Sequence, residues 1–204
     1  MSAARKPRQP WPMKWIAVAI LLVIVPYTFL TLRYRKPGQP FRPYQDTQDR
    51  ANVVRLLSAG YQRITLAAQR PADPIAGVTL AQTADAPAGL PAELTSTLVQ
   101  PPLLPAAIGK IAAAAGTSSF LAYPIHFSCT LPDDKQQLAG ADLYLKDNEV
   151  VITPDFERLT GGLLTRTREN VILITVPGGT FKPGQYRVTL TGQQNSRTWS
   201  LEVK

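Results

Sequence analysis

Residues 120–131 read FLAYPIHFSCTL, and the odd positions Leu121, Tyr123, Ile125, Phe127, Cys129 and Leu131 are apolar at every step. The even positions, Phe120, Ala122, Pro124, His126, Ser128 and Thr130, are mixed. A period of two marks a strand with one buried face, because successive side chains of extended backbone point to opposite sides. Pro124 has no amide hydrogen to give to a ladder, which predicts an edge strand or a bulge here.

Downstream the same alternation returns. Leu143 and Leu145 continue it, Lys146-Asp147-Asn148 supplies a turn, and residues 149–153 run back. After a loop with Gly161-Gly162, residues 170–176 place Ile172, Ile174 and Val176 on one face, and Pro177-Gly178-Gly179 ends them. Tyr186, Val188 and Leu190 then oppose Trp199, Leu201 and Val203 across a turn at 192–196. Strands separated by turn signals at this spacing predict a mainly β chain with an antiparallel sandwich over 118–204.

Upstream, residues 44–117 read as an α+β segment. Within it, 83–117 are rich in Ala, Pro, Leu and Thr, with only Asp85, Glu93 and Lys110 charged. Two short helices, 91–99 and 105–115, each begin with a proline suited to the first helical turn, and are expected to pack against the sheet. Before them a helix capped by Asp46 or Thr47 carries Val53, Val54, Leu56 and Leu57 on one face and stops at Gly60. Strands at 61–68 and 75–82, joined by the turn QRPADP, complete a helix-plus-hairpin unit.

Further outward lies Trp15–Leu32, WIAVAILLVIVPYTFLTL, without a charge and closed by Lys14 and Arg33. Eighteen residues at about 1.5 Å each reach roughly 27 Å, close to the hydrocarbon thickness of a bilayer. A core helix of this length keeps a polar face, whereas here Trp15, Tyr27 and Thr31 sit near the ends, where amphipathic groups suit the interface. A cleaved signal peptide needs small residues after its apolar core, and YTFLTLRYRKPG offers large or charged ones. The reading is one transmembrane helix with Pro26 as a tolerated kink. Residues 1–14 are its basic tail, and residues 33–43, RYRKPGQPFRP, form a stiff, Pro-rich basic stalk.

The chain has 204 residues and a formal charge of +8. Arg5, Lys6, Arg8, Lys14, Arg33, Arg35, Lys36 and Arg42 supply the whole excess, and residues 43–204 hold fourteen cations and fourteen acids. The basicity thus belongs to the membrane flanks and not to a nucleic-acid surface. Four cations lie on each side of Trp15–Leu32, so the positive-inside rule is tied. Long domains translocate largely regardless of charge while a short cationic tail does not, which places the N-terminus inside and the body outside.

No residue set for chemistry emerges. His126 is the only histidine and Cys129 the only cysteine. An odd separation on a strand puts them on opposite faces, which excludes a shared metal, and a lone cysteine forms no intramolecular disulfide. Asp147, Glu149, Asp155 and Glu157 crowd eleven residues, yet their spacing matches no calcium loop. Gly161-Gly162 and Gly178-Gly179 do not lead from a strand into a helix with a following lysine, so they are turns and not phosphate loops. No catalytic, cofactor-binding or metal residues and no cofactor are expected.

The closing stretch, VILITVPGGTFKPGQYRVTLTGQQNSRTWSLEVK, resembles the last strands of immunoglobulin-like sandwich domains found outside the membrane in bacterial envelope proteins. The resemblance spans roughly 140–204 and implies a turn at Pro183-Gly184 and a Tyr186 that plugs the end of the sandwich. Such domains sometimes follow the span of anti-sigma-like regulators, but the zinc-binding Cys/His module of those proteins has no counterpart here. The expectation is a single-pass protein of the inner (plasma) membrane, with a non-catalytic body that scaffolds or binds another protein. The other reading is an accessory or assembly subunit of a membrane enzyme complex, contacting it through Trp15–Leu32.

Overall fold

The computed structural model describes residues 12–34, 43–70 and 80–204. The basic tail up to residue 11, most of the stalk (35–42), and residues 71–79 of the expected turn and strand lie outside the described residues. The chain divides into two compact units, Met1–Tyr44 and Gln45–Lys204.

In the first unit, α1 (Met13–Tyr34) contains the whole apolar stretch and runs two residues beyond it at each end. Its window Met13–Thr31 has a mean hydropathy of 2.1 with none of it buried, long and apolar enough to cross a membrane. The Thr31 hydroxyl donates to the Tyr27 carbonyl at 2.6 Å, so this polar group is satisfied within the helix.

The second unit is mainly β. It begins with α2 (Pro43–Ser58), which starts earlier than the expected Asp46 or Thr47 because Pro43 occupies the first turn. Gly60 ends it with a left-handed φ of 81°. There follow β1 (Gln62–Leu66), β2 (Ala68–Gln69), β3 (Ala84–Ala86), α3 (Ala92–Thr97), β4 (Ala107–Ala113) and β5 (Gly116–Thr117). Then come β6 (Tyr123–Thr130), β7 (Gln136–Lys146), β8 (Glu149–Arg158), β9 (Glu169–Val176), β10 (Gly184–Leu190) and β11 (Ser196–Val203).

These strands form two sheets. A seven-stranded sheet runs β1-β7-β8-β10-β11-β3, with β5 also on β11, and a four-stranded sheet runs β2-β9-β6-β4. One core fills the space between them. Ile125, Phe127, Ile172 and Ile174 meet Leu143, Ile152, Leu190 and Leu201 there, all with no exposed area. Burying each such side chain contributes about 1.5–3 kcal/mol. The Trp199 indole N–H donates to the Tyr123 hydroxyl at 3.0 Å, which itself donates to the Ala114 carbonyl at 2.7 Å. Burial pushes that phenol up to about 12.

Several expectations change. The sandwich is not wholly antiparallel, since β10 pairs parallel with β8 and β11 parallel with β5. Pro124 is not on an edge strand: β6 lies between β9 and β4. It is accommodated because β4 stops at Ala113, opposite Ile125, so Pro124 faces a ladder partner on one side only. Leu121 falls outside the strand and stands exposed with Phe120. The helix expected at 105–115 is β4 instead. Its Ile108 and Ala113 are buried in the core, and pairing with β6 overrides the helix preference of an Ala-rich run. The helix at 91–99 is present as α3, and Leu94 and Leu98 beside it are buried, as packing against the sheet requires.

The turn and most of the second strand of the expected 61–68/75–82 hairpin lie outside the described residues, and what is described is the first strand. It splits at Ala67, with β1 pairing with β7 and β2 with β9, so one segment stitches the two sheets together. The hairpin β7–β8, turning at Asp147 with φ 51°, and the hairpin β10–β11 stand as expected. Leu190 meets Arg197 there rather than an apolar partner.

Candidate functional site

The outer face of the seven-stranded sheet is covered by the two helices. Leu56 of α2, Leu94 of α3 and Leu98 just after it pack with Tyr61, Tyr144 and Val151 in a second, smaller core. Two polar clusters border it, because alternation turns Arg63, Thr65, Asp142 and Tyr144 outward while Ile64, Leu66 and Leu143 turn inward.

Asp142 is the hub of the first cluster. Its side chain, 9% exposed, accepts from Arg63 Nη2 at 2.7 Å and from Thr65 Oγ1 at 3.1 Å, with the Tyr144 hydroxyl at 3.5 Å. Burial works against the Arg63 charge, but the hydrogen bond and charge of Asp142 outweigh it, and the guanidinium pKa is raised. Burial, reinforced by the Asp142 charge, pushes Tyr144 up to about 12. The nearby Asp155 is raised by burial first and by the same charge second.

The second cluster ties α3 to the sheet. Lys146 Nζ forms an ion pair with Glu93 and lies 5.0 Å from the centre of the Tyr61 ring. The Tyr61 hydroxyl donates to Glu93 Oε2 at 3.3 Å. Burial raises the Tyr61 phenol, and the Glu93 charge adds to it. Asn52 Oδ1 accepts from the Val99 amide at 2.7 Å and joins α2 to the segment after α3.

Between α2 and β1 runs a groove of about 430 Å³, lined by Asp49, Val53, Leu56, Leu57, Tyr61, Gln62, Arg63 and Thr65. Val53 and Leu57 are exposed on its helix wall, and Leu56 is buried. The opposite wall is the outer edge of β1, which among the described residues pairs only with β7. In an antiparallel pair about half of an edge strand's N–H and C=O groups point away from its neighbour, so among the described residues this wall has backbone groups without a ladder partner. Other edges are blunted. The outer edge of β11 is taken by β3 and β5, β4 is interrupted by a register shift between Ile108 and Ile111, and β2 has two residues. A second groove, about 500 Å³, lies between residues 85–92 and the strand residues Glu149, Val151, Arg187, Thr189 and Thr198. The edge strand that borders it, β3, is three residues long.

The residues weighed from sequence alone are dispersed. Cys129 is buried on the inner face of β6, its thiol pushed up to about 12 by burial, while His126 sits half-buried on the outer face. Asp147, Glu149, Asp155 and Glu157 are strung from one end of the β7–β8 hairpin to the other. Among the described residues no three His, Cys, Asp or Glu side chains gather as metal ligands. The sequence reading missed Asp142 and its partners. A single acid inside the apolar strand run AGADLYL was the available signal, since a carboxylate there requires donors. No family model, curated protein or solved structure matches the chain.

Proposed function

We propose that this chain is a single-pass inner-membrane protein held by α1, whose β body lies outside and binds an extended segment of a partner protein. The segment adds as a strand to the open edge of β1, in the groove against α2. The observation that carries this reading is the combination of an unblunted strand edge with an apolar helix wall. Strand addition takes its affinity from main-chain hydrogen bonds and its specificity from pockets for alternate side chains. Val53 and Leu57 provide apolar contacts, and Asp49 and Arg63 provide charge of both signs.

A binding role suits the polar groups here. Asp142 accepts from Arg63 and Thr65 with its two oxygens, which ties β7 to β1 beside the groove. The immunoglobulin-like reading draws support from Tyr186. Its hydroxyl donates to the Lys182 carbonyl at 3.0 Å and accepts the Lys182 amide at 3.1 Å, as a tyrosine corner does in such sandwiches.

The test is a photo-crosslinking residue placed at Val53 in the full-length chain in membranes, with Thr175, exposed on the other sheet, as control. The expected result is an adduct from position 53 that maps to one contiguous stretch of one partner and persists when α1 is replaced by an unrelated span. Adducts lost with the helix swap would favour the accessory-subunit reading. Adducts scattered over many proteins, or equal from both positions, would sink strand addition.

A further inference from the structure

The loop between β8 and β9 has features that neither the core nor the groove uses. Residues 159–168 read LTGGLLTRTR. Gly161 and Gly162 both adopt left-handed φ, 73° and 76°, and an added Cβ on either would meet nothing, so they are needed for the turn itself. Leu163 and Leu164 follow, 64% and 58% exposed. Arg158, Arg166 and Arg168 flank them, all exposed, and residues 158–168 contain no acid.

The base of this loop is fixed. The Leu159 amide donates to the Lys135 carbonyl and the Thr165 amide to the Asp134 carbonyl, both at 2.7 Å, and the Leu131 amide to the Arg168 carbonyl at 2.8 Å. The leucine pair is therefore presented on an anchored turn. Nearby acids are partly engaged: Asp133 accepts from the Lys135 amide and the Gln136 side chain, Asp134 is half-buried, and Glu157 bonds Gln137. Glu169 is exposed at the margin.

This is also the end of the body at which the chain enters. The Tyr61 amide donates to the Leu56 carbonyl, and Asp49, two turns earlier in α2, lines the groove with Arg63 and Thr65. The helix therefore runs antiparallel to β1, with its first turn toward the Leu66 end. There β7 begins and β8 delivers the chain into residues 159–168.

We infer that residues 159–168 are a membrane-surface contact. Leu163 and Leu164 enter the headgroup–acyl boundary, and Arg158, Arg166 and Arg168 meet anionic phospholipid headgroups. Exposed leucines beside cations are the composition that binds such an interface, by apolar burial together with attraction to acidic lipid. The inference rests on the anchored reading of α1.

The experiment uses the full chain in vesicles with and without phosphatidylglycerol, carrying an environment-sensitive thiol probe at Leu164→Cys. The control is Phe120→Cys, exposed at the opposite end of the sandwich beside Gly178. The expected result is a blue-shifted, iodide-protected probe at 164 but not at 120, stronger with the anionic lipid. R166E/R168E should lower the bound-to-free ratio of the loop by at least roughly thirtyfold. Alkaline extraction separates the failures. A chain that resists extraction while its probe at 164 stays as accessible as that at 120 overturns the loop contact alone, and a chain that is extracted overturns the anchor as well. Protection in native membranes but not in vesicles would also overturn it, because a protein would then be the occupant.

Discussion

Asp142 shows what one side chain holds together on the outer face of the body. It is buried beside Arg63, Thr65 and Tyr144, and two of those partners come from β1, seventy-seven and seventy-nine residues earlier in the chain. Asp142→Asn leaves the Arg63 guanidinium partly buried without a counter-charge, so urea unfolding should show a loss of about 2–3 kcal/mol. Arg63→Met in the same chain should recover part of it, and a double variant no more stable than D142N alone would contradict this account. Asp155 gives the pH dependence. Its pKa is raised, so its charged form costs the folded state, and the cost is absent below the ordinary carboxylate pKa near ~3.9 and complete above the raised one. Asp155→Asn should therefore gain stability over the native chain as pH rises from about 4 to 7, and a difference that stays flat would remove burial as the cause. Alternation along 61–68 puts Arg63 and Thr65 on the face opposite Ile64 and Leu66 but gives no reason to join them to Asp142, because it assigns a face and not a partner strand.

At the scale of elements, hydrophobic alternation was legible where a strand contributes to the core between the sheets. Residues 170–176, the β7–β8 hairpin and the β10–β11 hairpin follow from it directly. It failed where the deciding interaction is non-local. The Ala-rich composition of 105–115 predicts a helix, yet Ile108 and Ala113 have a place in the core only if the segment pairs with β6. The strand at 61–68 also has distant partners, β7 and β9, that no local pattern points to. The groove depends on that long-range pairing and was not legible at all. Helix α3 is six residues long, and its place follows from Leu94 and the Glu93–Lys146 pair. Leu94→Ala should cost about 3 kcal/mol and expose the Tyr61 ring to quenchers. Unchanged Tyr61 exposure would mean that α3 is held by other contacts. Gly178 tests the turn beside Phe120, because an added Cβ would lie 2.2 Å from the Phe120 carbonyl oxygen, so Gly178→Ala should cost about 1–3 kcal/mol in thermal unfolding. A cost below about 1 kcal/mol would show that the two loops separate freely.

At the scale of the whole molecule, charge and hydropathy divide the chain most plainly. All eight excess cations lie in residues 1–42, around a helix apolar enough to cross a membrane, and the β unit that follows is neutral. The proposed arrangement turns on the direction in which that helix crosses, which tied flanking charges do not fix. Cys129 is buried, which allows thiol labelling from a quiet background. The decisive measurement places a cysteine at Ser2 or Lys204 of the full chain and treats intact cells with a membrane-impermeant maleimide. The account expects Lys204→Cys to label at once and Ser2→Cys to label only after permeabilisation. Labelling of both positions from the same side would contradict it.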